Sequence, residues 1–414
     1  MPALQPVRGT QDLLAEEQRR HRAVIDTARG IAERYGYQEI ATPIFEFTDV
    51  FARPIGEHTD IVSKEMYTFK DRGDEEVTLR PEYTAGIVRA VISNGLTQNL
   101  PLKFFASGPM FRYERPQKGR FRQFHQIDVE LIGAAQPQAD VEVIALAADV
   151  LAALGVLKHT VLELNTLGDQ ASRHAYREAL IGYYAQHRAG LSEDSRNRLE
   201  RNPLRILDSK DAGDKAINAG APHFGDYLTP DARQFFAEVR AGLDLLGIAY
   251  RLNPRLVRGL DYYCHTAFEF VTTELGAQGT VLGGGRYDGL MAIMGGPETP
   301  GVGWAAGIER LALLITPPAA PPRAIAVIPM GERGDAAALT LARELRRDGF
   351  TVELGYSGNI GRRLKRANKI GARAAVILGE DELARAAATL RDLDTGEQIE
   401  VPLAALKDRL APFR

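Results

Sequence analysis

Cysteine is nearly absent: Cys264 stands alone in 414 residues. That excludes an intrachain disulfide and any multi-cysteine metal site, and it suits a reducing compartment. The segment from Met1 to Gln11 has no apolar core of signal-peptide length. No run is long enough and apolar enough to cross a bilayer, so a soluble, cytoplasmic protein is expected. No His, Cys and Asp residues stand at zinc-ligand spacing, and no metal site is expected. The dinucleotide-binding glycine pattern and the phosphate-loop lysine motif are both missing. Any nucleotide must therefore be held by side chains. No serine lies in a nucleophile-elbow context, and there is no internal repeat or low-complexity tract. The chain also lacks a large charge of one sign. Its net charge of -3 leaves nucleic-acid contact to local patches.

What is present is ordinary globular composition, 45% hydrophobic and 25% charged, in a chain long enough for two or three domains. The most informative stretch runs from Phe111 to Glu130. Between Arg112 and His125 it holds five Lys or Arg and one acid, interleaved with aromatics and glycine. Apolar strand-like runs flank it at Lys103 to Ala106 and Gln126 to Ile132. This is a basic hairpin whose forked guanidinium donors match phosphate. Alone, such a run reads equally well as a solvated charged hairpin.

Asp12 is expected to cap a helix with Val24, Ala28, Ile31 and Tyr35 on one stripe, ended by Gly36. Glu39 to Ile44 reads as a strand interrupted by Pro43. Pro81 is expected to start a helix with Ile87, Val88, Val91 and Ile92 on its apolar face, which puts Glu82 in the first turn. Val141 to Leu154 reads as a helix, and His159 to Asn165 as a strand. Residues from Thr166 to about Tyr250 are Arg- and Asp-rich, with few aliphatic runs, and read as a helical insertion. Strands resume at Ala267 to Thr272 and Thr280 to Leu282. Gly301 to Ile315 reads as a strand passing into a helix. Four prolines between Thr316 and Pro322 mark a linker. Beyond it, residues 322–414 alternate strands (Ala324 to Ile328, Thr351 to Leu354, Ala374 to Leu378) with helices, as in a mostly parallel sheet, and a hairpin turn at Asp394 to Glu397 adds an antiparallel pair. This last unit holds 16 Lys+Arg against 13 Asp+Glu. Its acid-free run at Arg362, Arg363, Lys365, Arg366, Lys369 and Arg373 puts 362, 366, 369 and 373 on one helix face. That face is either solvated or a phosphate-backbone contact.

Four segments are unusual together: Thr78 to Ala85, the basic hairpin, Leu256 to Tyr263, and the pair Gly283 to Gly289 with Gly301 to Arg310. Gly283 to Gly285 alone allows close approach to a ligand or makes an ordinary bend. Arg112, Arg258 and Arg310 can hold phosphates or serve in structural ion pairs. Arg310 sits near a helix start, where a cation is disfavoured unless something anionic faces it. Tyr262, Tyr263 and Tyr287 suit a core or a polar pocket. Glu82 and Glu130 can equally be a helix-start carboxylate and a surface strand carboxylate, and His125 a packed or hydrogen-bonded ring.

Over almost its whole length, from Arg8-Gly9-Thr10-Gln11-Asp12 onward, the chain resembles the histidyl-tRNA synthetases, a family of class II aminoacyl-tRNA synthetases. The segment around Pro43 is similar to the first class motif, which builds a dimer interface. The basic hairpin is similar to the second and Gly301 to Arg310 to the third. Leu256 to Tyr263 and Gly283 to Gly289 match two signatures of the histidine enzymes. The final unit is similar to the anticodon-binding domain shared with the glycine, threonine and proline enzymes. The resemblance implies an α+β catalytic domain on an antiparallel sheet (1–321, insertion about 166–250) and a C-terminal α/β anticodon-binding domain (322–414). It implies ATP-dependent ligation of histidine to tRNA(His) through a histidyl-adenylate, with ATP as substrate, Mg2+ as cofactor and a homodimer.

Carried over position by position, Arg112 resembles the arginine on the ATP α-phosphate, and Arg310 the one on the distal phosphates, with Arg120 also on ATP. Arg258 resembles the arginine that neutralises the carboxylate and α-phosphate during transfer. Arg258 and Arg112 are the implied catalytic residues. The implied histidine site comprises Glu82, Thr84, Arg112, Gln126, Glu130, Arg258, Tyr262, Tyr263 and Tyr287. Arg115, Gln117, Arg122, Arg362 and Arg366 are the implied tRNA contacts. Tyr83 stands where glycine is frequent in bacterial relatives and lines the same turn; Cys264-His265 replaces other polar residues after the tyrosines. Two rival readings remain: a histidine-binding regulatory paralogue, usually without the last domain, and another class II synthetase with the same final domain.

Overall fold

A computed structural model describes residues 3–414 except 57, 58, 60, 118, 202, 208, 258, 259, 261, 277 and 278, and excepting the side chains of 200 and 201. The chain divides into two compact units, Met1–Pro318 and Ala319–Arg414.

In the first unit the strands are β1 (Gln38–Glu39), β2 (Phe45–Phe47), β3 (Tyr67–Lys70), β4 (Glu76–Leu79), β5 (Leu102–Phe111), β6 (Gln123–Ile132), β7 (Val161–Thr166), β8 (Arg251–Leu252), β9 (Cys264–Val271), β10 (Thr280–Arg286) and β11 (Gly301–Gly307). The helices are α1 (Ala15–Arg34), α2 (Asp49–Ile55), α3 (Thr84–Ser93), α4 (Pro137–Ala153), α5 (Gln170–Gln186), α6 (Glu193–Arg201), α7 (Ala212–Asn218), α8 (Pro230–Leu245), α9 (Leu290–Ile293) and α10 (Ile308–Leu314). Among the described residues, eight strands form one sheet in the order β1-β5-β6-β11-β10-β9-β7-β8. Its pairings are antiparallel except β1 with β5 and β7 with β8.

The two faces of this sheet have different work. Successive side chains of a strand point to opposite faces. Ile127, Val129 and Leu131 of β6 enter the main core with α1, α4 and α8, whereas Phe124 and Ile132 join a second cluster with α3 and the three tyrosines 262, 263 and 287. Gln126, Asp128 and Glu130 share that second face. A polar cavity is thereby floored by a sheet whose reverse is wholly apolar and fixed.

Several boundaries differ from the sequence reading. α1 begins at Ala15 with Leu14, not Asp12, at its N-cap, and no side chain caps it; Val24, Ala28 and Ile31 form the buried stripe as expected. Pro43 divides the expected strand, leaving β1 in the large sheet and β2 in a separate sheet of order β2-β4-β3. α3 starts at Thr84, so Glu82 precedes the helix rather than lying in its first turn. Gly283 to Gly285 lie inside β10 and make no bend. The helical region after β7 has its own small core around Tyr176, Leu180 and Tyr184. Its last helix, α8, belongs instead to the main core through Val239 and Leu243.

The second unit has β12 (Ile325–Pro329), β13 (Val352–Leu354), β14 (Ala374–Leu378), β15 (Ala387–Asp392) and β16 (Gln398–Pro402), with α11 (Gly331–Arg347), α12 (Ile360–Lys369), α13 (Glu380–Ala384) and α14 (Leu403–Leu410). β13, β12 and β14 are parallel, and the 394–397 turn joins the antiparallel pair β15–β16. Continuous burial of β12 and β14 follows from helices on both faces.

Candidate active site

A cavity of about 280 Å³ opens on the polar face of the large sheet. Its walls include Glu82, Thr84, Arg112, Arg120, Gln126, Tyr262, Tyr263 and Arg310. The sequence scatters these residues from 82 to 310; the order β5-β6-β11-β10 brings them together. Arg258 lies outside the described residues, as do Gly259 and Asp261 of the same segment.

Three carboxylates sit deep at the acidic end. Glu82 accepts from the backbone N–H groups of Thr84 (2.7 Å) and Ala85 (2.9 Å). It thus satisfies donors that the first turn of α3 leaves unpaired. Burial nevertheless raises its pKa. Glu130, 1% exposed, is no surface carboxylate. Thr84 Oγ1 donates to one of its oxygens at 2.6 Å, and the Tyr287 hydroxyl donates to the other. Burial pushes Glu130 up to about 8 against these two opposing bonds. Glu130 and Tyr287 stand directly behind the wall formed by Thr84.

Asp128 was not anticipated. It lines the cavity with one carboxylate oxygen buried and unpartnered, and burial holds its pKa well above the usual range. The signal was available: 126, 128 and 130 alternate on one face of a strand. Gln126 likewise leaves its side-chain oxygen buried without a partner. Unmet acceptors in a cavity are what a ligand with N–H donors would satisfy.

The glycines explain how this end closes. A Cβ on Gly303 of β11 would overlap the Glu130 carboxylate and the Val129 carbonyl, and one on Gly301 would overlap the Tyr287 ring. On Gly285, a Cβ would lie 2.9 Å from Tyr263. The glycine-rich strands β10 and β11 let polar side chains cross the sheet surface at van der Waals contact.

The other end is cationic. Arg112 follows β5, donates from Nε to the Pro81 carbonyl at 2.9 Å, and sits with its guanidinium carbon 5.2 Å from the Phe124 ring centre. Arg310, third residue of α10, donates to the carbonyls of Thr280 and Gly119. Burial lowers the pKa of both arginines, and for Arg310 the charges of Arg120 and Arg112 add to the effect. Three guanidinium groups at one wall are held against mutual repulsion, an arrangement that an anion would relieve. Arg120 pairs with Glu114.

The hairpin residues expected at the tRNA divide. Arg115 and Gln117 are exposed. Arg122 instead folds back: its guanidinium stacks 3.8 Å over Tyr113 and its backbone N–H donates to Gly9. Arg362 and Arg366 are exposed on α12 of the second unit. Tyr83 does not line the cavity; it is buried and donates to the Ser107 carbonyl at 2.9 Å. His125 is a hydrogen-bonded ring, with Nδ1 2.8 Å from Glu309.

An antiparallel sheet bearing arginines at one end of a cavity and buried carboxylates at the other, followed by an α/β unit, is the architecture of the class II aminoacyl-tRNA synthetases. A family model described as histidyl-tRNA synthetase matches residues 9–311, and one described as anticodon binding domain matches 324–411. The chain is 61% identical over 414 residues to a histidine–tRNA ligase of Rhodospirillum rubrum, with 100% of both chains covered. It is 61% identical over 411 residues to that of Gluconacetobacter diazotrophicus, with 99% of each covered. The crystal structure of apo S. aureus histidyl-tRNA synthetase superposes with a TM-score of 0.81 at 36% identity, covering 98% of this chain and 99% of that one. The chain belongs to the histidyl-tRNA synthetase family, whose reaction is the ATP-dependent ligation of histidine to tRNA through a histidyl-adenylate.

Proposed function

We propose that the cavity makes histidyl-adenylate from histidine and ATP, then passes the histidyl group to the terminal ribose of tRNA(His). The observation that carries this reading is the joining of two opposite chemistries in one cavity. Glu82, Asp128 and Thr84, with Glu130 behind Thr84, lie at one end, and Arg112, Arg120 and Arg310 at the other. Activation is an in-line displacement at the α-phosphorus by a histidine carboxylate oxygen, releasing pyrophosphate. Little proton chemistry is needed, so positioning and charge neutralisation dominate. Arg112 takes the α-phosphate and Arg310, with Arg120, the distal phosphates. Arg258 neutralises the carboxylate and α-phosphate as they meet. Glu82 and Thr84 receive the ammonium group. Glu130 and a tyrosine hydroxyl, from Tyr262, Tyr263 or Tyr287, address the two imidazole nitrogens, with Gln126 beside them. A site that hydrogen-bonds a ring N–H rejects apolar side chains strongly, because its buried acceptors would stay unpaired.

Mg2+ requires oxygen ligands in octahedral array. Of the carboxylates lining the cavity, Glu82, Glu114 and Glu309 accept from protein donors, and Asp128 keeps one buried oxygen unpartnered. This donor set does not make a protein cage for Mg2+. Arg115, Gln117 and Arg122 address the acceptor end of tRNA, and Arg362 and Arg366 its anticodon arm. The chain works as a cytoplasmic homodimer, with 1–321 catalytic, 166–250 inserted and 322–414 binding the anticodon. Among the described residues no helix is long and apolar enough to cross a membrane.

The small sheet supports the dimer. Its register puts Phe45, Leu79 and Tyr67 in one row and Phe47, Val77 and Phe69 in the next, and Phe45, Phe47 and Phe69 are about half exposed. A contiguous aromatic face of this kind is uncommon on a monomer. Phe45→Asp with Phe47→Asp should elute as a monomer on sizing where the unaltered chain elutes as a dimer.

The functional assignment is tested by binding of a sulfamoyl analogue of histidyl-adenylate. Arg112→Ala should weaken it by at least about tenfold, and Arg310→Ala should weaken ATP, which carries the distal phosphates the analogue lacks, by a similar factor, the effect of losing one charge-assisted contact. Unchanged affinity in both variants would remove the arginine wall from the mechanism.

A further inference from the structure

Behind the adenylate cavity lies a second one of about 480 Å³, between α1, the hairpin and α10. His21 and Glu309 line it and, with His125 beside them, form a cluster to which the proposed reaction gives no role. His21 comes from α1, His125 from β6 and Glu309 from the start of α10. One ligand atom of each lies within 4.8 Å of the others. No sequence spacing announces this group, because its members are 104 and 184 residues apart.

The three side chains are held differently. Glu309 is anchored: both its oxygens accept from the His125 backbone N–H at 3.0 Å, and Oε1 lies 2.8 Å from His125 Nδ1. His125 is therefore fixed by the carboxylate. The His21 ring meets that of His125 edge-on, with centroids 5.4 Å apart and planes at 80°. It is 5% exposed, and among the described residues it makes no hydrogen bond. Burial lowers its pKa, which favours the neutral ring that ligates metals. The ring borders the second cavity, where a ligand can reach it.

We propose that His21, His125 and Glu309 form a binding site for a divalent transition metal of the zinc class. Two imidazole nitrogens and one carboxylate suit Zn2+, Co2+ or Ni2+, whereas Mg2+ and Ca2+ require oxygen sets. Ligand bonds of about 2.0–2.2 Å put tetrahedral ligand atoms about 3.4 Å apart. Side-chain shifts of about 1 Å convert the present cluster into such a set. Glu309 can turn one oxygen to the metal while the other keeps the His125 N–H, the outer-sphere support that metal ligands usually receive. The fourth position opens on the 480 Å³ cavity, whose wall also carries Glu16 and Glu17. These carboxylates favour entry of a cation, although Arg20 stands beside them and pairs with Glu16 at 2.8 Å. A bound ion ties α1 to β6 and α10, the elements that carry Gln126 and Arg310.

The full-length chain, stripped with chelator, is titrated with Co2+ and followed by its visible d–d absorption. The expected result is one saturable equivalent of tetrahedral or five-coordinate intensity, displaced by Zn2+ and not by Mg2+. His21→Phe keeps the ring-edge packing, removes one ligand, and should weaken Co2+ by on the order of tenfold or more. It should leave histidine-dependent pyrophosphate exchange, run in metal-stripped buffer resupplied with Mg2+ alone, unchanged, which shows that it folds. His125→Gln tests a second ligand by the same absorption. No saturable site, or Co2+ binding unaltered in both variants, overturns the proposal.

Discussion

Gly303→Ala is the sharpest single perturbation of the histidine end. The added methyl would overlap a Glu130 oxygen and the Val129 carbonyl and would lie 2.6 Å from Glu130 Cδ. Carbon atoms in contact need about 3.5 Å, so something must move by about 1 Å. The Val129 carbonyl belongs to the β6–β11 ladder, where Gly303 is paired with Glu130, and cannot yield cheaply. The Glu130 side chain is therefore displaced from Thr84 and Tyr287. Overpacking costs about 1–3 kcal/mol, and a buried acceptor left unpaired costs a similar amount. A net loss of about 3 kcal/mol in histidine binding corresponds to about a hundredfold. Histidine-dependent pyrophosphate exchange, with histidine and ATP varied separately, reads the two ends independently. Histidine KM should rise by about that factor while ATP KM moves by less than about threefold, since the atoms nearest the added methyl belong to Glu130 and Val129 and not to the arginines. A histidine KM near the unaltered value, or equal losses for both substrates, would refute the placement of Glu130 in histidine recognition.

Arg258→Ala and Arg112→Ala should each lower exchange by about a hundredfold, the effect of losing about 3 kcal/mol of transition-state stabilisation, with melting temperature nearly unchanged; near-normal exchange in either removes that residue. The pH dependence of stability has a definite sign. Burial raises the Glu130 pKa from 4.5 to about 8, so the folded chain holds this proton more tightly than the unfolded one. The stabilisation is complete below the unfolded value and is lost as pH climbs through about 8. Thermal melts of the unaltered chain should therefore fall more steeply from pH 5 to pH 9 than those of Glu130→Gln (about one titrating proton of difference), and parallel curves would contradict it. Arg362→Ala and Arg366→Ala should weaken tRNA binding and reduce its salt slope by about one charge each, leaving exchange intact; an unchanged slope would take α12 off the phosphate backbone.

The fold was legible wherever local pattern and tertiary packing agree. The two long strands of the basic hairpin, the α1 stripe and the alternation of the second unit all follow from period and punctuation. Boundaries failed where a partner far away decides them. α1 starts after Asp12 because its buried stripe meets α4 and α10, and Pro43 splits a strand between two sheets. The site was legible as residue types but not as geometry. The sequence pattern puts Glu82 inside a helix that it in fact precedes and caps, and Asp128 reads as one acid in a strand. Gly303 gains its meaning only from Glu130 across the sheet, and His21 only from residues more than a hundred positions away.

The account rests on one cavity reading an imidazole with carboxylates while arginines hold a nucleotide. ATP–pyrophosphate exchange measured with each of the twenty amino acids tests it most directly. Exchange with histidine alone is the predicted result. Exchange with none, or with glycine, threonine or proline in place of histidine, would contradict it.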